Sequence, residues 1–193
     1  MEIKQSIPPI LRPEKTEPVN FADLVAKFQL QNLGQDAILT GISMNTNDLR
    51  KGDLFVAMPG LKTHGAKYYE KAIELGASAI VTDPEGSQLI PALSIPVAIL
   101  DNPRGRLGDL AAYVYGNTPG NIPTLFATTG TNGKTSTTYL LEAVLRQIGK
   151  VTGLTSTAER HIAGEIIVSR LTTPESTEMQ ALIARMRERG VTN

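Results

Sequence analysis

The chain has 193 residues, 41% of them hydrophobic, and its 19 basic side chains balance 19 acidic ones. That is enough apolar material for one domain and part of a second. Zero net charge excludes an overall field that would draw in nucleic acid or an anionic membrane, and the lack of cysteine excludes a disulfide scaffold and thiolate zinc. The N-terminal stretch has no apolar h-region and no window approaches a membrane span, so a soluble cytoplasmic protein is expected.

Residues 1–19 carry four prolines and little periodicity, and are expected to form an extended lead-in. A helix should follow, with Asn20 as N-cap, Asp23 at its positive end, and Phe21, Leu24, Val25 and Phe28 on one face. The chain then alternates: strand DLFVAM (53–58), helix KYYEKAIEL closed by Gly76, strand ASAIV (77–81), strand PVAIL (96–100), and a helix around Leu107 to Tyr115. Short unbroken apolar strands separated by helices predict an α/β fold with a mostly parallel sheet covered by helices. The turn-rich GNTPGNIP, Gly116 to Pro123, breaks that pattern and is the candidate linker.

Beyond it, TLFATT (124–129) reads as a strand, followed by a helix near Ser136 to Ile148, a short strand at VTGLT and a hairpin turning at Ala163 and Gly164. The last predicted helix takes Thr173 as cap and Pro174 at its first position, with Met179, Leu182, Ile183 and Met186 along one side. RMRER, Arg185 to Arg189, reads as a solvated helix face rather than a basic patch.

Between the TLFATT strand and its helix, Gly130, Thr131, Asn132 and Gly133 must turn the chain sharply. Glycine permits that turn and lets backbone N–H groups converge on an anion, to which the helix adds the positive end of its dipole. Lys134 would add a full charge near the β- and γ-phosphates, and the hydroxyl of Thr135 is the expected ligand of the accompanying Mg²⁺. The pattern G-x-x-x-x-G-K-[ST] is met except at its first glycine, which falls on Thr128. The plain alternative is a glycine-rich turn with a solvated lysine; the intact GKT between strand and helix favours nucleotide binding.

TGTNGKT at 129–135 resembles the ATP loop of the Mur ligases, which also lack glycine at the position of Thr128. Folate-glutamylating relatives usually read GKG where this chain reads GKT. Residues 52–81, GDLFVAMPGLKTHGAKYYEKAIELGASAIV, are similar to the UDP-binding N-terminal domain of the ligases that add the third residue and the terminal dipeptide of the peptidoglycan stem. TTPES at 172–176 favours the first of these, the MurE type. The resemblance runs from about Thr40 to the C-terminus. Together with the lead-in read at 1–19, it implies an N-terminal UDP-substrate domain at 20–117, a linker at 118–123, and the start of a central P-loop α/β domain at 124–193.

Carried over position by position, the resemblance puts ATP on Thr129, Gly130, Thr131, Asn132, Gly133, Lys134 and Thr135. Lys134 would be the catalytic cation and Thr135 the Mg²⁺ ligand. The UDP-N-acetylmuramoyl-dipeptide would meet Met44 and Thr46, then Leu61, Lys62 and Thr63 around its uracil, with Thr172 and Thr173 on the muramoyl-peptide side. Family members often read Asp-Ser-Arg where this chain has Asn45, Thr46 and Asn47, so an arginine near the diphosphate is lost. Plainer readings stay open: Met44 as core, Lys62 and Thr63 as a polar loop, Thr172 and Thr173 as helix caps. His64 and His161 receive no catalytic role, and Asp101-Asn102-Pro103-Arg104 reads as turn chemistry at a helix start.

The implied reaction passes the γ-phosphoryl of ATP to a substrate carboxylate, and an incoming free amino acid attacks the acyl phosphate. The 73 residues from Asn121 to the end are fewer than the roughly 100 to 150 of a complete domain. The expectation is therefore a piece of a longer ligase, incomplete alone, with no obligate protein partner inferred. The rival readings are the terminal-dipeptide ligase, a non-catalytic UDP-sugar-binding module, and an unrelated P-loop ATPase.

Overall fold

The computed structural model describes residues 10–32, 34–92, 94–169 and 174–193. They form two compact units, one of Lys15–Gly116 and the other of Asn117–Asn193 with residues 10–14.

The first unit opens with β1 (Val19–Asn20), which pairs antiparallel with β3 (Ile38–Leu39) across α1 (Phe21–Phe28) and β2 (Gln31–Asn32). Asn20 holds the cap position of α1, but its side chain makes no cap bond. The carboxylate of Asp36 takes over, accepting the backbone N–H of Ala22 at 2.8 Å while the carbonyl of Ala37 accepts that of Phe21. A residue from the next loop thus satisfies helix donors that a local cap would otherwise serve.

The main sheet follows: β4 (Gly41–Ser43), β5 (Asp53–Ala57), a 3-10 turn (Gly65–Tyr68) leading into α2 (Tyr69–Glu74), β6 (Ala79–Thr82), α3 (Pro84–Ser87), β7 (Val97–Ile99) and α4 (Pro103–Val114). Its order is β2-β7-β6-β5-β4, with β4 to β7 parallel and β2 antiparallel at one edge. Every residue of β5 and β6 is buried, as expected of parallel strands covered on both faces. Alternation sends Phe55 and Ala57 into a cluster with Ala66, Ala72, Ile80 and Val97, while Leu54 and Val56 turn to the opposite face. Gly76 closes the α2 segment at φ 93°, a left-handed backbone that glycine adopts without strain.

The second unit consists of α5 (Lys134–Gln147), β8 (Gly153–Thr155), β9 (Glu159–Ile162), β10 (Glu165–Val168) and α6 (Ser176–Glu188). The three strands form an antiparallel sheet in the order β10-β9-β8, and the hairpin turns at Ala163 and Gly164, both with positive φ. Residues 124–129 are not a strand, contrary to the sequence expectation, and Leu125 and Phe126 are exposed. A strand exists only through a ladder partner, and among the described residues the backbone bond of this segment is a single one, from Thr124 N–H to the carbonyl of Thr192. β8 pairs with β9 instead. Helix α6 also begins later than expected, with Glu175 in the cap position, so Pro174 precedes the helix; Thr173 lies outside the described residues.

One strand joins both helices. β9 points Arg160 and Ile162 to one face and Glu159 and His161 to the other. On the first face Ile162 packs with Leu182, Met186 and Val191, and Leu11 from the N-terminal stretch lies against this cluster. Glu14 nearby pairs with Arg185 at 2.8 Å. Also on that face, Arg160 Nη2 sits 2.7 Å from Glu178 Oε1, each side chain 2% exposed. Among the described residues Arg160 Nε finds no hydrogen-bond acceptor, and the Nη2–Oε1 approach is an ion contact without hydrogen-bond geometry.

A buried ion pair of this kind is destabilising to break and inexpensive to replace whole. Glu178→Ala should therefore cost about 3–5 kcal/mol in urea denaturation of the chain, whereas Arg160→Met with Glu178→Leu should leave stability near or above the original. Equal losses in the single and the double variant would contradict this account of the β9–α6 contact.

Candidate functional site

The phosphate loop lies in the second unit. Gly130 has φ 135° and Gly133, in the cap position of α5, has φ 79°. A Cβ on Gly133 would meet nothing within 4 Å, so the backbone angle and not a lack of room calls for glycine there. No side chain caps α5, which leaves its first N–H groups directed out of the helix end. Residues 129–137 are all exposed.

Lys134 folds back so that its ammonium donates to the carbonyls of Gly130 at 2.5 Å and Thr131 at 3.3 Å. The cation therefore closes the loop over its own main chain. Thr138 Oγ1 donates to the carbonyls of Lys134 (3.2 Å) and Thr135 (2.8 Å), fastening the first turn. The cradle suits an anion: two glycine-bent corners, an uncapped helix end and one mobile-length ammonium. For Mg²⁺ the donor set fits in part, since Thr135 brings an exposed hydroxyl beside the cradle and the described residues hold no cluster of three or more acidic or histidine ligands. The phosphates themselves and water would have to complete the shell.

Helix α5 is held from its middle. Glu142 is its one fully buried residue among those described. Its Oε2 lies 2.7 Å from His161 Nδ1, and its Oε1 accepts from Thr152 Oγ1 at 3.2 Å. The other ring nitrogen of His161 lies 3.2 Å from Glu159 Oε2, which also accepts from the hydroxyl of Tyr139 at 2.8 Å. The rings of Tyr139 and His161 meet edge to face at 5.4 Å. First the Tyr139 hydroxyl and then His161 hold the Glu159 carboxyl below the usual carboxylate range. Sequence reading set His161 aside and did not single out Glu142. The signal was faint: Glu142 shares the helical spacing of Thr138, Leu141 and Leu145, a position where an apolar residue would be expected.

In the first unit the predicted substrate residues collect at the carboxyl ends of neighbouring parallel strands, where open α/β sheets bind ligands. Met44 and Thr46, both half-buried, directly follow β4. Ser43 Oγ donates to the carbonyl of Asn45 and Asn45 Oδ1 accepts from Asn47 N–H, which fixes that turn. Leu61 and Lys62 are exposed and Thr63 half-buried in the loop after β5. Thr172 and Thr173 lie outside the described residues.

Three residues outside the predicted set brace the second of these loops. His64 Nδ1 accepts the N–H of Ala66 at 3.0 Å, which leaves Nε2 to carry the proton it gives Asp83 Oδ1 at 3.0 Å. The same Asp83 oxygen caps α3 by accepting Gly86 N–H at 2.7 Å. Arg104 Nη2 reaches back to the carbonyl of Pro59 at 3.0 Å. Asn102 caps α4 through Gly105 N–H with Pro103 following, so the DNPR tetrapeptide is the start of a helix, and its arginine steadies the loop across the sheet edge.

Residues 38–115 match the Mur ligase family, catalytic domain, and residues 128–193 match the Mur ligase middle domain. The chain is 48% identical over 186 residues to the UDP-N-acetylmuramyl-tripeptide synthetase of Leifsonia xyli subsp. xyli, covering 95% of this chain and 36% of that protein. It is 45% identical over 180 residues to the UDP-N-acetylmuramoyl-L-alanyl-D-glutamate--2,6-diaminopimelate ligase of Streptomyces avermitilis, covering 93% and 35%. The chain thus spans about a third of the length of these curated relatives. Among solved structures, a UDP-N-acetylmuramoyl-L-alanyl-D-glutamate--2,6-diaminopimelate ligase shares the fold at a TM-score of 0.63 and 20% identity, over 80% of this chain and 30% of that one. The UDP-N-acetylmuramoylalanyl-D-glutamyl-2,6-diaminopimelate--D-alanyl-D-alanyl ligase of Acinetobacter baumannii does so at 0.59 and 16%, over 91% and 35%. With one family segment falling on the parallel sheet and its two loops, and the other on the glycine-bent loop and the helices behind it, the chain belongs to the Mur ligase family.

Proposed function

We propose that this chain supplies the UDP-substrate-binding unit and the ATP loop of an ATP-dependent amide ligase that adds the third stem amino acid to UDP-N-acetylmuramoyl-L-Ala-D-Glu. The observation that carries the reading is the TGTNGKT segment bent by two glycines into the uncapped end of α5. The names of the relatives at 48% and 45% identity support the choice of acceptor. The activity belongs to a protein with the remaining length of those relatives, and the residues below are this chain's part in it.

Main-chain N–H groups from Gly130 to Lys134 would cradle the phosphates of ATP, with Thr129, Thr131 and Asn132 shaping the loop around them. Lys134 would exchange its two loop carbonyls for the β- and γ-phosphate oxygens and neutralise charge as the γ-phosphoryl passes to the substrate carboxylate. Positioning and electrostatics are the main demands of that step. Bound Mg²⁺ supplies further charge neutralisation, and Thr135 is the residue that would hold it. Met44 and Thr46 would meet the nucleotide part of the UDP-substrate, and Leu61, Lys62 and Thr63 its uracil, on a loop kept in place by His64, Asp83 and Arg104. Thr172 and Thr173 are assigned to the muramoyl-peptide side.

Titration calorimetry of the chain with MgATP should show saturable binding that Lys134→Ala weakens by about tenfold or more, the scale of a lost charge-assisted contact. Unchanged affinity in that variant would refute the loop's role. For the other unit, UDP-N-acetylmuramoyl-dipeptide should bind in preference to the tripeptide, and Thr46→Ala should weaken it by about two- to tenfold. Preference for the tripeptide would favour the terminal-dipeptide ligase, and failure to bind any UDP-sugar would favour an unrelated P-loop ATPase.

A further inference from the structure

We infer that His161 is a positioning residue: its imidazole bridges two carboxylates and thereby fixes the direction of α5 and the geometry of the phosphate loop at that helix's N-terminus. The inference deepens the nucleotide-site reading above and rests on it only for the meaning of the loop.

Helix α5 has little apolar hold. Leu140, Val144 and Ile148 are exposed, Leu141 and Leu145 are half-buried, and the buried residue is a glutamate. What ties the helix to the sheet is the path Glu142–His161–Glu159–Tyr139, which leaves α5 at one residue and returns to it at another. The groups facing the imidazole are Glu142 and Tyr139 from α5 and Glu159 from its own strand, with the uncharged Thr152 completing the Glu142 carboxylate. Glu142 stands eight residues beyond Lys134, about 12 Å along a helix that moves as a rod. A tilt at Glu142 is therefore delivered to the loop.

The bridge depends on proton count. A neutral imidazole carries one N–H and can donate to one carboxylate only, leaving a ring lone pair against the other; the imidazolium donates to both. The complete bridge therefore needs an N–H on each ring nitrogen, one for Glu142 and one for Glu159.

The experiment uses the whole chain and its His161→Gln and His161→Arg variants. Gln carries its two N–H donors on a single nitrogen and does not reproduce donors at the two separate ring positions, whereas the guanidinium fork presents N–H groups on separate nitrogens. Amide exchange at residues 130–137 is followed at a single pH, and MgATP affinity is measured alongside. His161→Gln should lose protection of these amides by about tenfold, and His161→Arg should restore it. MgATP affinity should follow the same order. The inference is overturned if His161→Gln leaves loop protection unchanged, or if His161→Arg fails to restore it. Should His161→Gln fail to fold, His161→Arg decides alone: loop protection and MgATP affinity kept at the parent's level support the bridge, and loss of either overturns it. A chain whose loop responds as expected but never binds MgATP refutes the nucleotide reading and leaves the bridge standing.

Discussion

Strand β9 is the element on which the second unit turns, because its alternation sends one polar side chain to each helix. Arg160 meets Glu178 of α6 on one face, and His161 meets Glu142 of α5 on the other. All four side chains are nearly or wholly removed from water. Buried polar and charged groups cost free energy unless they are partnered, so these contacts tolerate little displacement. Apolar packing could hold two helices on a sheet through many shifted arrangements. Paired polar groups narrow the choice, since a register slip on β9 would send each of them to the wrong helix.

The first unit reaches its site by a different route. Four parallel strands fix where their carboxyl ends lie, and the loops after β4 and β5 become neighbours because the strands are neighbours. Loops that carry binding residues need support at their flanks, and here polar contacts from elsewhere on the sheet edge provide it. Asp83 serves two donors with one oxygen, the N–H of Gly86 and the proton of His64. Arg104, forty-five positions from Pro59, closes the other flank. Exposed Leu61 and Lys62 thus stand on a frame whose members sit in their own loop and in two other segments of the chain.

Much of the candidate site was legible because its chemistry is local. GKT after a glycine-bearing turn predicts a helix with an anion-ready end, and α5 starts at Lys134. The parallel sheet was legible from unbroken apolar runs. TLFATT carries a similar apolar run and was misread, because the run records a preference while the strand needs a neighbour. Asn20 was misread as a working cap for a related reason: α1's donors found a carboxylate fourteen positions on. Leu11, in a stretch read as a lead-in, packs beside residues at the far end of the chain.

By itself, then, the sequence determined the α/β class, the helix behind the GKT segment and the glycine corners, all of which follow from backbone preference and spacing within a few residues, while the family was legible only as a resemblance of whole motifs. Only the tertiary structure decided which polar groups meet. His161 with Glu142, Arg160 with Glu178 and Arg104 with Pro59 are each separated by many residues, and no periodicity in the chain encodes their distance. The physical reason is that burial creates the demand for a partner: a carboxylate in water needs none, and one enclosed between a helix and a sheet must find its donor wherever the fold has placed it.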